Sequence, residues 1–196
     1  MNEEQKIIQK YFLPIADNPE SLQLSNDAAF INKQQNMVIS SDMMIEDVHF
    51  DKLDDPFCLA QKLLRVNLSD IAAMGAQPYG YILNLSIPKL NHELWLKRFC
   101  KGLAKDSEKF NLKLFGGDLG SSKNIFMSVT ILGLVSKKFH KNMIAHEGSE
   151  IFVSDTLGDA GIGLQIKKGK FSKLKKPVKK FFLSKLNTPI PQIKLG

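Results

Sequence analysis

Between Asp55 and Gly75 the sequence carries one complete helix together with the signals for both of its ends. Asp55 offers a carboxylate to the orphan N–H groups of a first turn, and Pro56 suits that turn because its missing N–H would have had no partner there. Leu59, Leu63, Val66 and Ile71 then recur at roughly helical spacing and form one apolar stripe. Gly75 can adopt the left-handed conformation that stops a helix. A helix with a single apolar stripe has to bury it against another layer, and the neighbouring segments supply strands for that purpose. Asn36–Ser41 contains Met37-Val38-Ile39, a short apolar run that exits into Ser40-Ser41-Asp42. Tyr79–Ile87 is rich in β-type residues and ends at Pro88. Asn91 is placed to cap a second long helix with Leu94, Trp95, Phe99 and Leu103 on its apolar face. Leu112–Phe115 reads as a short strand running into Gly116-Gly117-Asp118. Ile125–Val135 is the clearest strand, with Phe126, Val129, Ile131 and Leu132 among Ser and Thr. Ahead of all these, Glu3–Ile15 has helical spacing and Ser21–Phe30 reads as loop. The order predicts an α+β fold: a mixed or antiparallel sheet with helices on one face.

After Ser136 the character changes. Lys137 to Gly148 is a polar linker, Ile151–Ser154 looks like a first strand, and Gly158–Ile166 looks like a first helix. The expected division is therefore residues 1–148 and residues 149–196. The second stretch is too short to bury an independent core, so it reads as the truncated beginning of a further domain.

The net charge of +7 has to be located before it means anything. Ten lysines and no acid lie from Lys167 onward, so +7 less ten leaves residues 1–166 at −3. The body is slightly acidic and the basicity sits in the tail, which reads as a solvated end. Only two arginines are present, Arg65 and Arg98, so the bidentate readers of guanine and phosphate are scarce and nucleic acid is not expected as a partner; salt-dependent polyanion binding through the lysine tail is a distant alternative. The two cysteines, Cys58 and Cys100, stand far apart without a CxxC or a Cys/His partner, which fits reduced thiols and argues against a disulfide scaffold or a zinc knuckle. No apolar run reaches the roughly 18 residues needed to cross a bilayer, and residues 1–10 do not resemble a secretory signal. A cytoplasmic protein is expected.

Four aspartates share a context. Asp27 precedes Ala28-Ala29, Asp42 follows Ser40-Ser41, Asp118 follows Gly116-Gly117, and Asp70 lies late in the Asp55–Gly75 helix, where its charge opposes the helix dipole. A nearby cation would offset that cost. Hard divalent cations take oxygen ligands, which carboxylates and serine hydroxyls supply. Converging carboxylates would point to Mg²⁺; spacing alone leaves ordinary capping and surface aspartates as the alternative. Gly116-Gly117-Asp118-Leu119-Gly120 allows backbone N–H groups to approach a phosphate, and is equally a common tight turn. It is not a P-loop, since GxxxxGK[ST] is absent. His49, just past Glu46-Asp47-Val48, is by itself more often structural.

Taken together, three segments resemble the thiamine-monophosphate kinase family, within the superfamily of aminoimidazole ribonucleotide synthetase and selenophosphate synthetase. They are Ser40-Ser41-Asp42 through Val48-His49-Phe50, Val66 through Ala76, and Leu114-Phe115-Gly116-Gly117-Asp118. The resemblance implies that Asp27, Ser40, Ser41, Asp42, Asp70 and Asp118 are Mg²⁺ ligands. It also implies that Gly117 and Asp118 touch the nucleotide and that His49 contacts thiamine monophosphate. The implied reaction moves the γ-phosphoryl group of ATP to thiamine monophosphate, in a homodimer joined through its N-terminal sheets. The pattern departs at Ser25-Asn26 (Gly-Asp in the family), at Leu119 (Thr), at Asn142 (an ATP-contacting Arg), and at Ile144 and Ser149 (Gly and Asp). With the second domain's acidic segment also absent, an impaired kinase is expected. The alternative is a catalytically inactive, dimeric Mg²⁺- and nucleotide-binding remnant.

Overall fold

The computed structural model describes residues 3–26, 28–88, 93–135 and 146–196. Four strands form one mixed sheet in the order β1-β4-β2-β3: β1 (Asn36–Ile45), β2 (Gln77–Ile87), β3 (Lys113–Ser121) and β4 (Phe126–Val135). β4 runs antiparallel to both of its neighbours, from Asn36↔Val135 to Ile45↔Phe126 on one side and from Gln77↔Leu134 to Ser86↔Phe126 on the other. β2 and β3 are parallel and are joined through a helix, as parallel neighbours require. The expected α+β architecture is therefore present.

Two of the strands outrun their expected ends. β1 does not stop at Ser41 but continues to Ile45, and β3 does not stop at Phe115 but continues through the glycines to Ser121. In each case a long partner strand offers hydrogen bonds past the polar or glycine residues, and the ladder decides where the strand ends. Gly116-Gly117-Asp118 is thus strand interior and not a tight turn.

The helical layer consists of α2 (Pro56–Ala73) and α3 (Glu93–Phe110), after a short α1 (Glu3–Ile7) that continues as a π-helical turn over Ile8–Phe12. The Asp55 side chain caps α2 by accepting from Phe57 N at 3.2 Å, and the same carboxylate takes a two-pronged bond from Arg98 on α3 at 2.9 and 2.8 Å. Gly75 follows with φ of +66°. The predicted cap Asn91 lies outside the described residues. Leu63, Leu64 and Leu68 of α2, Leu96, Phe99 and Leu103 of α3, and Tyr81, Met127, Val129 and Ile131 of the sheet form one core. Each fully buried leucine there contributes about 2 kcal/mol relative to an exposed one. The Tyr81 hydroxyl bridges β2 to Ser107 of α3 at 3.1 Å.

The strongest polar contact in the core is a fully buried carboxylate. Asp106 accepts from Arg65 Nε at 2.5 Å, from Arg65 Nη2 at 2.9 Å and from Gln61 Nε2 at 2.7 Å. The remaining Arg65 nitrogen, Nη1, reaches the carbonyls of Thr188 and Pro189, both at 3.3 Å.

The last part of the chain differs from its expected form in two ways. Ile151–Ser154 is not a strand, since no described strand lies beside it to complete a ladder, and Ile151 and Phe152 are 92% and 85% exposed. The lysine-rich stretch is not a loose tail. It includes α5 (Lys176–Asn187), which packs against α4 (Asp159–Lys167) so closely that a Cβ on Gly163 would stand 2.4 Å from the Phe182 carbonyl oxygen. Pro177 in the first turn and the half-buried Phe182, Leu183 and Leu186 account for the helix. Lys167 pairs with Asp51 and Asp54, and Ile193 rests against the main core.

Because Asp106 leaves two cationic or polar partners stranded when removed, D106A is expected to lower unfolding free energy by about 3–5 kcal/mol. Urea denaturation followed by circular dichroism measures it, and a loss under about 1 kcal/mol would contradict the assigned network.

Candidate functional site

Alternation along β1 determines which of the implied ligands meet. Ser40 and Asp42 pair with Ile131 and Val129, both core residues, so they point toward the helical layer. Ser41 points the other way, where its hydroxyl lies 3.0 Å from Thr130 Oγ1 and donates to Val129 O at 3.1 Å. On the helix side, Ser40 Oγ donates to Asp70 Oδ2 at 2.5 Å. Asn67, one helical turn before Asp70, accepts from the Asp42 backbone N–H at 3.0 Å while donating its amide to Leu63 O at 2.9 Å. Asn67 has no exposed surface. The sequence reading passed over it, although a poor helix former in mid-helix was a usable signal.

Ser40, Asp42 and Asp70 thus form one group at the edge of the sheet. Partial desolvation, and then the neighbouring Asp70 charge, push the Asp42 carboxyl above the ordinary aspartate range. A carboxylate raised in this way binds protons more readily when folded. It therefore favours the fold most below its unfolded pKa and loses that contribution as pH rises through the folded one. The group consists only of hard oxygen donors, and a Mg²⁺ ion, which keeps several waters, would find two carboxylates and a hydroxyl there. Among the described residues no three acidic, histidine or cysteine side chains already converge as a complete metal cage.

Asp118 belongs to a different place. It sits on β3 beside Asn84, at the opposite edge of the sheet from β1. Three interstrand steps separate the two edges, about 14 Å. A cleft of about 650 Å³ opens there, lined by Gly116, Gly117 and Asp118 on β3, by Asn84 and Ile82 on β2, and by Asn26, Ala28 and Ala29. Asp27 itself lies outside the described residues. Gly117 has φ of +153°, and a Cβ there would stand 1.7 Å from the Leu83 carbonyl oxygen, so only glycine fits. The cleft is mainly apolar, with Leu24, Phe12 and Leu119 contributing, and one carboxylate stands at its edge.

His49 lies in the turn after β1. Its Nδ1 accepts from Ile45 N at 3.1 Å, which leaves Nε2 as the ring's N–H donor. The cysteines are poor nucleophiles: burial pushes the Cys100 thiol up to about 12, and burial followed by Asp55 raises that of Cys58. Both are free thiols. No helix among the described residues is long and apolar enough to cross a membrane.

The family model described as "AIR synthase related protein, N-terminal domain" matches residues 25–135, more than half of the chain. The chain belongs to this family. Among similar AIR synthase related proteins, the thiamine-monophosphate kinase of Haemophilus influenzae is 35% identical over 198 residues, covering 97% of this chain and 58% of that protein. The thiamine-monophosphate kinase of Buchnera aphidicola subsp. Acyrthosiphon pisum is 33% identical over 198 residues, covering 98% of this chain and 61% of that protein. The chain therefore spans about three fifths of the length of the curated relatives it matches. The solved thiamine-monophosphate kinase of Stenotrophomonas maltophilia superposes with a TM-score of 0.82 at 28% identity, over 97% of this chain and 61% of that one. AaThiL, solved with AMPPCP and TMP, gives 0.77 at 26% identity, over 86% of this chain and 54% of that one.

If Asp70 is part of what raises Asp42, D70N should bring the Asp42 pKa down toward, but not fully to, the ordinary aspartate value, because the desolvation remains. Carboxyl-carbon NMR titration of the two proteins reads this directly; an unmoved Asp42 would mean that the two carboxylates do not interact.

Proposed function

We propose that this chain carries the nucleotide- and metal-binding part of a thiamine-monophosphate kinase, with ATP as phosphoryl donor and thiamine monophosphate as acceptor. The observation that carries the reading is the like-charged pair Asp42 and Asp70, held together through Ser40 and Asn67 at the edge of the sheet. A fold does not ordinarily steer two carboxylates together and leave them without a cation. The similar proteins described as thiamine-monophosphate kinases, and the related structure solved with AMPPCP and TMP, support the choice of substrates.

In this reading Ser40, Asp42 and Asp70 hold Mg²⁺ on one side and Asp118 on the other, with Asp27 and Ser41 completing the set implied by the resemblance. Bound Mg²⁺ screens the repulsion between the two phosphate-bearing substrates and neutralises charge on the transferred group. The chain's own residues bind and orient. Gly116 and Gly117 line the cleft with backbone; a Cβ on Gly116 would meet only Leu24, at 3.9 Å, so a nucleotide can lie close against β3 there, while Gly117 lacks a Cβ because one would run into Leu83 O of β2. His49 offers Nε2–H as a donor to the phosphate of thiamine monophosphate. The acceptor is already an anion, so no strong general base is required, and alignment is the main task of the site.

The reading includes a homodimer and a cytoplasmic setting. The side of the sheet away from α2 and α3 leaves Ile39 66% exposed and Met43 53% exposed on β1, and a second sheet would cover them. Light scattering of the purified chain is expected to give twice the chain mass, and I39E is expected to reduce it to the single-chain value. A monomeric parent would refute the dimer.

The deciding experiment incubates the purified chain with ATP, Mg²⁺ and thiamine monophosphate and detects thiamine diphosphate directly. Formation is expected, with D70N and D118N each lowering the rate at least about 100-fold. No product, with Mg²⁺-dependent nucleotide binding retained and lost in D70N, would favour the inactive binding remnant. Neither product nor binding would remove the functional reading.

A further inference from the structure

The turn that carries His49 is held unevenly. Its inner side is fixed by its own backbone and by the core. Glu46 N donates to Ile125 O at 2.9 Å and Ile125 N to Glu46 Oε2 at 2.7 Å. Asp47 N donates to Phe50 O at 2.8 Å and His49 N to Ile45 O at 2.9 Å, and Phe50 is buried. The solvent side has little apolar anchoring, since Val48 is 70% exposed and Leu53 97% exposed. Two lysines from different helices reach the turn. Lys62 Nζ of α2 donates to the His49 carbonyl at a long 3.4 Å. Lys167 Nζ, at the end of α4, pairs with Asp51 at 2.9 Å and with Asp54, whose carboxylate also accepts from Asp51 N at 2.9 Å and closes the turn. Lys167 and Asp54 keep only 22% and 20% of their side-chain surface exposed, so their pairing is screened less than a fully solvated one. Burial works against the Lys167 charge, but the bonds to Asp54 and then Asp51 outweigh it and hold the ammonium above the ordinary lysine range. Burial, and then the Lys167 charge, push Lys62 below that range. Two ammonium groups are thus brought close enough to repel, and the carboxylates of the turn keep Lys167 in place against that repulsion.

We propose that Lys167 is a positioning residue for the phosphate acceptor: from α4 it fixes the Asp51–Asp54 turn and, together with Lys62, the placement of His49. The inference rests on the reading that His49 donates to the phosphate of thiamine monophosphate. Lys167 touches no substrate itself. It acts because a contact made through one ring N–H is lost when the backbone that carries the ring shifts by about 1 Å. The C-terminal hairpin, 113 positions from Asp54 at this link, thereby contributes to the affinity of the acceptor site.

The test titrates thiamine monophosphate into the full chain by calorimetry in the presence of Mg²⁺ and AMPPCP, and measures AMPPCP affinity separately. K167M is expected to weaken thiamine monophosphate binding at least about fivefold and to leave AMPPCP binding within about twofold. K167R keeps the charge and is expected to stay near the parent. D51N/D54N is expected to repeat the K167M effect, and K167M added to it is expected to change little further, as for residues that act through one contact. Hydrogen exchange over residues 46–54 is expected to rise at least about tenfold in K167M and to stay unchanged in α2 and the sheet, which a general loss of stability would not do. Unchanged exchange, equal weakening for both ligands, or unchanged thiamine monophosphate affinity in K167M would each overturn the proposal. A parent that binds no thiamine monophosphate would remove the functional reading and the proposal with it, whereas a parent that binds it beside an unaffected K167M would refute the proposal alone.

Discussion

A carboxylate with no exposed surface, Asp106, fixes how the helical layer is assembled. Its charge is tolerable only when it is fully paired, so Arg65 and Gln61 of α2 have to arrive at set distances. The flat guanidinium fork leaves little freedom in that approach. With α2 held against α3, the face it turns to the sheet is determined, and Asn67 and Asp70 follow. Asn67 then fastens β1, and Asp42 comes to rest beside Asp70. The spare nitrogen of Arg65 extends the same anchoring to Thr188 and Pro189, far along the chain. The candidate metal-binding edge and the placement of the C-terminal helices therefore share one origin.

The parts of this arrangement that rest on neighbouring residues were legible in the sequence. α2 announced itself through Asp55, Pro56 and Gly75, all within reach of its own backbone, and β4 through a run of apolar and hydroxyl residues. The ends of β1 and β3 were not legible. Ser40-Ser41-Asp42 and Gly116-Gly117 look like interruptions, yet β4 and β2 lie alongside with hydrogen bonds to offer, and no local pattern reports a partner's length. The opposed directions of Ser40 and Ser41 follow at once from a two-residue repeat, but only after the strand is known to continue.

The same reasoning explains the C-terminal stretch. Ile151-Phe152-Val153 has the composition of a strand, but composition supplies only one side of a ladder. The lysines after it suggested a solvated end because charge dominates a count of residues. What folds α5 is the smaller set of Phe182, Leu183 and Leu186 against α4, together with an arginine more than 120 positions away. The candidate site shows the same limit: Asp42 and Asp70 are 28 positions apart, and only tertiary structure says that they touch electrostatically.

The paired glycines of β3 carry an implication for how this edge of the molecule tolerates change. Where a strand borders a cleft with bare backbone, whatever docks there meets amide and carbonyl groups, which every substitution except one at the glycine itself leaves in place. Recognition of that sort is insulated from drift in side chains and concentrated in a position that has no alternative residue. Gly117, where a Cβ would run into the β2 backbone, is then a point of brittleness for the sheet itself, with Gly116 beside it at φ of +158°, inside a rim of side chains that is otherwise permissive.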